Sequence, residues 1–156
     1  MKYWLLFFSL FIVAAIFGPA TFRGTDIAKL APVEVVWLSE RDGRVSLKTD
    51  TGDFGIGEDM QAALEDMKTT ASGTVFLDTA DYLIVEQGCE ELLEQAYTLL
   101  RPSCMICVAE KMPDLEVAAE YLSAHEPERT LRQYRVEKGN IPELVELEGR
   151  FAWDAQ

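Results

Sequence analysis

The chain has 156 residues, which suits one compact domain with a short additional segment. Its 27 acidic and 14 basic residues give a net charge of −13, so its surface repels nucleic acid and anionic lipid headgroups. We therefore expect no nucleic-acid partner. The cysteines number three, which is not the even count of a disulfide framework, and a histidine-based metal or catalytic site would depend entirely on His125.

The first 22 residues have the pattern of a membrane-targeting segment. Lys2 precedes a long uncharged run, and small residues allow signal-peptide cleavage after Ala20. The stretch Tyr3–Phe22 is also just long enough to span a bilayer of roughly 30 Å. Both outcomes stay open, a secreted protein or a single-pass anchor with the domain outside the cytoplasm. We favour the anchor. The first cysteine is Cys89, so we expect no lipid-modified N-terminus.

Composition and periodicity divide the rest of the chain into three parts. These are a connector at 23–32, an α/β domain at 33–136 and a C-terminal tail at 137–156. Beyond His125 the pattern weakens. Leu131–Val136 is predicted as a strand, and Ile141–Leu147 as a short helix. The tail through Trp153 is expected to be poorly ordered.

Within the domain, a hairpin is followed by alternating helices and strands. The predicted elements are, in chain order, strand Val33–Leu38, a turn at Asp42-Gly43, strand Val45–Thr49, a flexible loop 50–57, helix 58–71, one bent strand or two short strands over 74–85, helix Cys89–Leu100, strand Ser103–Ala109 and helix Leu115–Leu122. Strands that follow helices require crossover connections. The order β-β-α-β-α-β-α, after the N-terminal hydrophobic helix, predicts an α/β (α+β) fold with a small mixed sheet and about three helices packed on it.

Cys104 and Cys107 form a C-x-x-C pattern, which in redox proteins lies where a strand ends and a helix begins. Here both cysteines fall inside a predicted strand. Residues three apart on a strand face opposite sides of the sheet, which disfavours a local disulfide. We expect buried structural cysteines, with a redox pair as the alternative.

Asp78 and Asp81 interrupt an otherwise apolar segment. Buried charges need a partner or access to solvent, so this interruption predicts a bend exposed at the sheet margin. A structural bend and a recognition edge are both open, and the two aspartates are our candidate interaction residues. The sequence has no nucleophile motif, nucleotide loop or metal cluster, so we expect no enzyme activity, metal or cofactor.

The order of features from Arg23 to Leu122 resembles the N-terminal domain of the Ger(x)C-type spore germination lipoproteins. The residues that carry the resemblance are Thr25–Leu30, the strand Val33–Leu38, Asp42-Gly43, the strand Val45–Thr49, Ala62–Leu64, the segment Val75–Val85, the strand Cys104–Ala109 and the helix Leu115–Leu122. That family has a lipobox cysteine and further domains, whereas the first cysteine of this sequence is Cys89. The resemblance therefore implies a truncated relative that holds the membrane-proximal domain. The resemblance implies a protein contact within a sporulation or germination membrane complex, without catalysis.

The sequence therefore predicts a non-enzymatic, extracytoplasmic interaction domain that is tethered to the membrane and contacts other proteins of a membrane complex. A thiol-redox protein using Cys104 and Cys107 is one alternative. A small-ligand binding module is the other, and it would require a deep apolar pocket.

Overall fold

The computed structural model describes residues 32–147 and 149–154. The predicted membrane-targeting segment 1–22 and nearly all of the connector lie outside these residues. The described elements are, in chain order, β1 (Val35–Arg41), β2 (Arg44–Thr49), β3 (Phe54–Gly57), α1 (Met60–Thr70), a 3₁₀ turn (Leu77–Thr79), β4 (Tyr82–Glu86), a 3₁₀ turn (Glu90–Leu92), α2 (Leu93–Leu99), β5 (Met105–Ala109), α3 (Leu115–Ala124), α4 (Leu131–Val136), β6 (Leu144–Leu147) and β7 (Arg150–Trp153).

The first five strands form one mixed sheet in the order β3-β2-β1-β4-β5. Strands β1, β2 and β3 are antiparallel neighbours, whereas β4 is parallel to β1 and β5 is parallel to β4. The predicted mixed sheet and the predicted hairpin are confirmed. The hairpin turns at Asp42 and Gly43, which both have positive φ, as a two-residue type I′ turn requires.

The sheet is covered on both faces, which makes three layers. On one face, Val36 and Leu38 of β1 pack in a cluster with residues of α1, α2 and α4. On the other face, Val35 and Trp37 pack with residues of α3 and with Leu144 of β6. Successive residues of a strand point to opposite faces, so β1 is apolar on both sides and lies in the middle of the domain.

The segment 50–57 was predicted as a loop, and this prediction is wrong at its end, where Phe54–Gly57 forms β3. Glycine is depleted in strands, so the two glycines concealed the strand. Gly55 and Gly57 lie directly under α1. A Cβ at Gly55 would overlap the backbone oxygen of Ala63 and lie 2.6 Å from the backbone nitrogen of Met67. The glycines therefore allow α1 to pack tightly on the edge of the sheet.

Three other predictions need correction. Of the bent strand or two short strands predicted over 74–85, only the second half is a strand, at Tyr82–Glu86, because Leu77–Thr79 forms a 3₁₀ turn. Leu131–Val136 is a helix, not a strand, and Thr130 and Gln133 form a capping box at its start. The short helix predicted at Ile141–Leu147 is instead an extended segment that ends in β6, which pairs with β7. Four α-helices are thus described, one more than expected.

The expectation of a poorly ordered tail through Trp153 is wrong, because this segment forms the β6–β7 hairpin and is attached to the sheet by its own contacts. Ile141 is buried against the first face and Leu144 against the second. The backbone nitrogen of Val108 in β5 donates to the oxygen of Pro142 at 3.0 Å. Residues 141–144 therefore lie along the outer edge of β5, and the β6–β7 hairpin continues from there.

Candidate functional site

Asp78 and Asp81 both lie in the segment that leads into β4 but differ in their contacts. Asp78 is exposed within the 3₁₀ turn Leu77–Thr79. Asp81 forms an ion pair with Arg101, and both of these side chains are partly exposed. The Nε atom of Arg101 also donates to the backbone oxygen of Ala80 at 3.0 Å. The contacts of Asp81 therefore hold the start of β4 against the segment after α2, and Asp78 points to solvent.

Cys104 and Cys107 are both buried, on opposite faces of the sheet. Cys104 packs with the α1–α2 face and Cys107 with the α3 face. Burial raises the pKa of the Cys104 thiol to about 12, and burial likewise raises the pKa of Cys107. A neutral thiol is a weak nucleophile, so this arrangement does not favour thiol exchange at either residue.

An open groove lies at the edge of the domain, with a volume of about 620 Å³. We call it the C-terminal groove. It lies between the segment after α3, the helix α4 and the end of β7, and its lining residues are Glu126–Arg129, Gln133, Glu137, Asn140, Pro142, Trp153 and Asp154. The sequence predicted no site here, because these residues come from three segments of the part where the periodic pattern weakens.

Arg129 organises the wall of this groove. Its Nη1 atom donates to the backbone oxygen of Asn140 at 2.6 Å, and its Nη2 atom donates to that of Glu137. Its guanidinium carbon lies 5.7 Å from the centre of the Tyr134 ring, within the range of a cation–π contact. The Nε atom is buried and has no hydrogen-bond partner among the described residues. The hydrogen bonds of Arg129 therefore hold the segment after α4 in place.

The charge of the groove is negative. Four carboxylates line it, from Glu126, Glu128, Glu137 and Asp154, and all four residues are exposed. The guanidinium of Arg129 is the opposing charge in the lining. Four negative charges and one positive charge leave three net negative charges at pH 7, on a chain that is itself acidic.

The aromatic residue of the groove belongs to a larger cluster. Trp153 packs on Tyr121 of α3, with ring centres 6.0 Å apart, and Phe151 packs on the same tyrosine at 5.8 Å. His125 stacks on the same Tyr121 ring, with the two ring centres 4.6 Å apart. The tyrosine therefore fixes the hairpin against α3, while Trp153 stays partly exposed toward the groove.

Trp153 also lies on a free strand edge. The backbone nitrogen of Asp154 donates to the oxygen of Glu143 at 2.9 Å, which fixes the alternation of hydrogen bonds between β6 and β7. In that alternation the backbone groups of Phe151 and Trp153 point away from β6. No described residue pairs with this edge.

The two outer edges of the five-stranded sheet, at β3 and β5, are covered. At β3, the side chain of Asp66 accepts from the nitrogen of Ile56 at 2.9 Å, and that of Thr70 donates to the oxygen of Phe54 at 3.3 Å. At β5, the oxygen of Arg129 accepts from Ile106, and the oxygen of Pro142 accepts from Val108. Covered edges do not recruit another strand. Among the described residues, no group covers the outward edge of β7 in this way.

Within residues 32–147 and 149–154, no group of three or more histidine, cysteine, aspartate or glutamate side chains is arranged to hold a metal ion. No helix in that part of the chain has the length and apolar content that a membrane crossing requires. Comparisons with known protein families, with curated proteins and with solved structures gave no significant match. The resemblance to the germination lipoproteins therefore stays a prediction.

Proposed function

We propose that the protein is a non-enzymatic interaction domain that is tethered to the membrane by residues 1–22 and binds another protein on the extracytoplasmic side. The observation that carries the proposal is the C-terminal groove. It is open along the domain edge, and a volume of about 620 Å³ is ample for several side chains of a partner. Concave surfaces with an exposed indole are typical places for a partner to bind.

The structure favours the interaction domain over the two alternative functions, a small-ligand binding module and a thiol-redox protein. A small-ligand module would need an enclosed apolar pocket, whereas this groove is open and has four carboxylates in its wall. A thiol-redox protein would need an accessible low-pKa thiol, whereas Cys104 and Cys107 are buried with raised pKa values. An open, charged groove supports binding of a polypeptide better than either alternative.

Photo-crosslinking in the host cell tests the proposal. A photoreactive amino acid is placed at Trp153 in the full chain and, as a control, at Arg44 on the β1–β2 hairpin, which is exposed and far along the sheet order. We expect a defined crosslinked product from position 153 that is absent from position 44. The same products from both positions, or no product from position 153, would contradict an interaction through the groove.

The membrane tether needs its own experiment. Mass spectrometry of the native protein is expected to find the N-terminus at Met1, as an uncleaved anchor requires. An N-terminus near Thr21 would replace the anchor with secretion after cleavage behind Ala20. The role in sporulation or germination is tested by gene deletion in the host. Normal sporulation and germination of the deletion strain would count against that part of the proposal.

A further inference from the structure

We propose that the partner enters the C-terminal groove as an extended segment rich in lysine and arginine, and that its backbone pairs with the free edge of β7. This inference rests on the proposed function, because it names the chemistry of the segment that the groove would bind. Two independent features of the described residues carry it, the unpaired backbone of β7 and the charge of the lining.

The strand edge determines the conformation of the partner. The outward backbone groups of Phe151 and Trp153 supply donors and acceptors in the spacing of a strand. An extended segment satisfies them by adding a strand to the β6–β7 pair, which is a common mode of peptide recognition. The side chain of Trp153 lines the groove, so a segment on this edge places side chains in the groove.

The lining determines the charge of the partner. Glu126, Glu128, Glu137 and Asp154 are exposed and line the groove together, and the only positive charge in that lining, on Arg129, already binds two backbone oxygens. Lysine or arginine side chains of a partner would face the carboxylates, and one of them can lie over the indole of Trp153 as a cation–π contact.

The same charges disfavour the other occupants. A second copy of the chain also carries a net charge of −13, so two copies would repel each other at this edge. An anionic lipid surface and nucleic acid are repelled for the same reason. A basic polypeptide segment satisfies both the strand edge and the charge.

The test uses the full chain in nonionic detergent micelles and a fluorescently labelled peptide of alternating lysine and valine. Fluorescence anisotropy gives the affinity. Two comparison peptides separate the two features. One carries glutamate in place of lysine, and the other is N-methylated at every backbone nitrogen and so keeps the charge but loses the backbone donors on both edges. We expect the lysine peptide to bind, with both comparison peptides weaker by about tenfold or more, because each loses one of the two contributions.

A charge-matched pair of variants locates the binding. The groove variant combines E128Q, E137Q and D154N, and the control variant combines E40Q, E65Q and E116Q. All six residues are exposed, and each variant removes three negative charges, so circular dichroism should show both folded. We expect about tenfold weaker binding for the groove variant and less than about twofold change for the control, since only nearby charges contribute strongly at physiological salt.

The outcomes separate this inference from the proposed function. Equal weakening of both variants would mean that the peptide follows net charge alone, and would overturn the inference. A crosslink from position 153 together with no binding of the lysine peptide would overturn the inference and leave the proposed function standing. If position 153 gives no crosslink and the lysine peptide does not bind, both the inference and the proposed function are overturned.

Discussion

The Nη1 atom of Arg129 donates to the backbone oxygen of Asn140, eleven residues further along the chain, at 2.6 Å. This bond, with the second one to Glu137, joins the segment before α4 to the segment after it. Gly139 lies between the two acceptors, and a Cβ there would come within 2.9 Å of the same guanidinium. The wall of the groove therefore depends on one side chain.

Replacing Arg129 with glutamine should lower the stability of the domain. The change removes two charge-assisted hydrogen bonds, so we expect the free energy of unfolding to fall by about 2 kcal/mol. Urea unfolding followed by circular dichroism measures this value. The control is Arg132→Gln, because the Arg132 side chain is exposed and, among the described residues, the hydrogen bond of Arg132 comes from its backbone nitrogen, which donates to the oxygen of Pro102. Equal losses in both variants would show that the contacts of Arg129 contribute nothing specific.

The contact between β3 and α1 should tolerate no side chain at Gly55. An alanine there would overlap the Ala63 backbone, so α1 must move off the sheet. We expect a loss of about 3 kcal/mol, at the upper end of overpacking effects. Gly43→Ala is the control. A Cβ at Gly43 meets nothing within 4 Å, so only its positive φ adds a cost of about 1 kcal/mol. A smaller loss for Gly55→Ala than for Gly43→Ala in urea unfolding would refute the close packing.

The cysteines should differ in their reactivity in the native fold. Cys89 is partly exposed, whereas Cys104 and Cys107 are buried. We expect iodoacetamide to label Cys89 first, and to label the other two only when the domain unfolds. Mass spectrometry of timed samples identifies the labelled residue, and Cys89→Ser should leave the native protein nearly unlabelled. Rapid native labelling of Cys104 or Cys107 would revive the thiol-redox alternative.

Burial of Cys104 should also make the domain less stable in alkali. Its pKa is raised from the ordinary 9.0 to about 12 by burial, so the folded state keeps a proton that the unfolded state loses. The contribution is fully present below pH 9 and declines as the pH rises toward 12. Urea unfolding across this range should show a shallower decline for Cys104→Ala than for the unchanged protein. If the free energy of unfolding falls equally steeply with pH in both proteins, the burial of the Cys104 thiol does not cause the loss of stability in alkali.

The ion pair between Asp81 and Arg101 should contribute little to stability. Side-chain exposure is 53% for Asp81 and 38% for Arg101, so solvent weakens the attraction. We expect Asp81→Asn to cost less than about 1 kcal/mol in urea unfolding. Asp78→Asn, at an exposed position, is the matched control. A loss of several kcal/mol at Asp81 alone would identify it as an essential structural residue and would weaken its candidacy for interaction.

Local patterns determined much of the fold. The alternation of Val45–Thr49 and the Asp-Gly turn specified the first hairpin, because turn geometry and strand period are properties of short segments. Apolar spacing specified α1 and α3, and Met60, Ala63, Leu64 and Met67 are buried as that spacing predicts. The opposite orientation of Cys104 and Cys107 also followed from the period of a strand.

Only the tertiary structure decided the remainder. Gly55 and Gly57 were predicted as loop residues. They lie in a strand that pairs with β2, and glycine is needed at both positions because α1 packs where side chains would be. The six residues Leu131–Val136 are too few for a clear period, so the burial of Leu131 in the core decides the helix.

The membrane-targeting segment predicted at residues 1–22 rests on composition alone, and these residues lie outside the described part of the chain. The groove depends on contacts that are distant in sequence. Arg129 binds Glu137 and Asn140, and Trp153 packs on Tyr121. Such contacts leave no period in the sequence, because they depend on where separate segments meet in the folded chain.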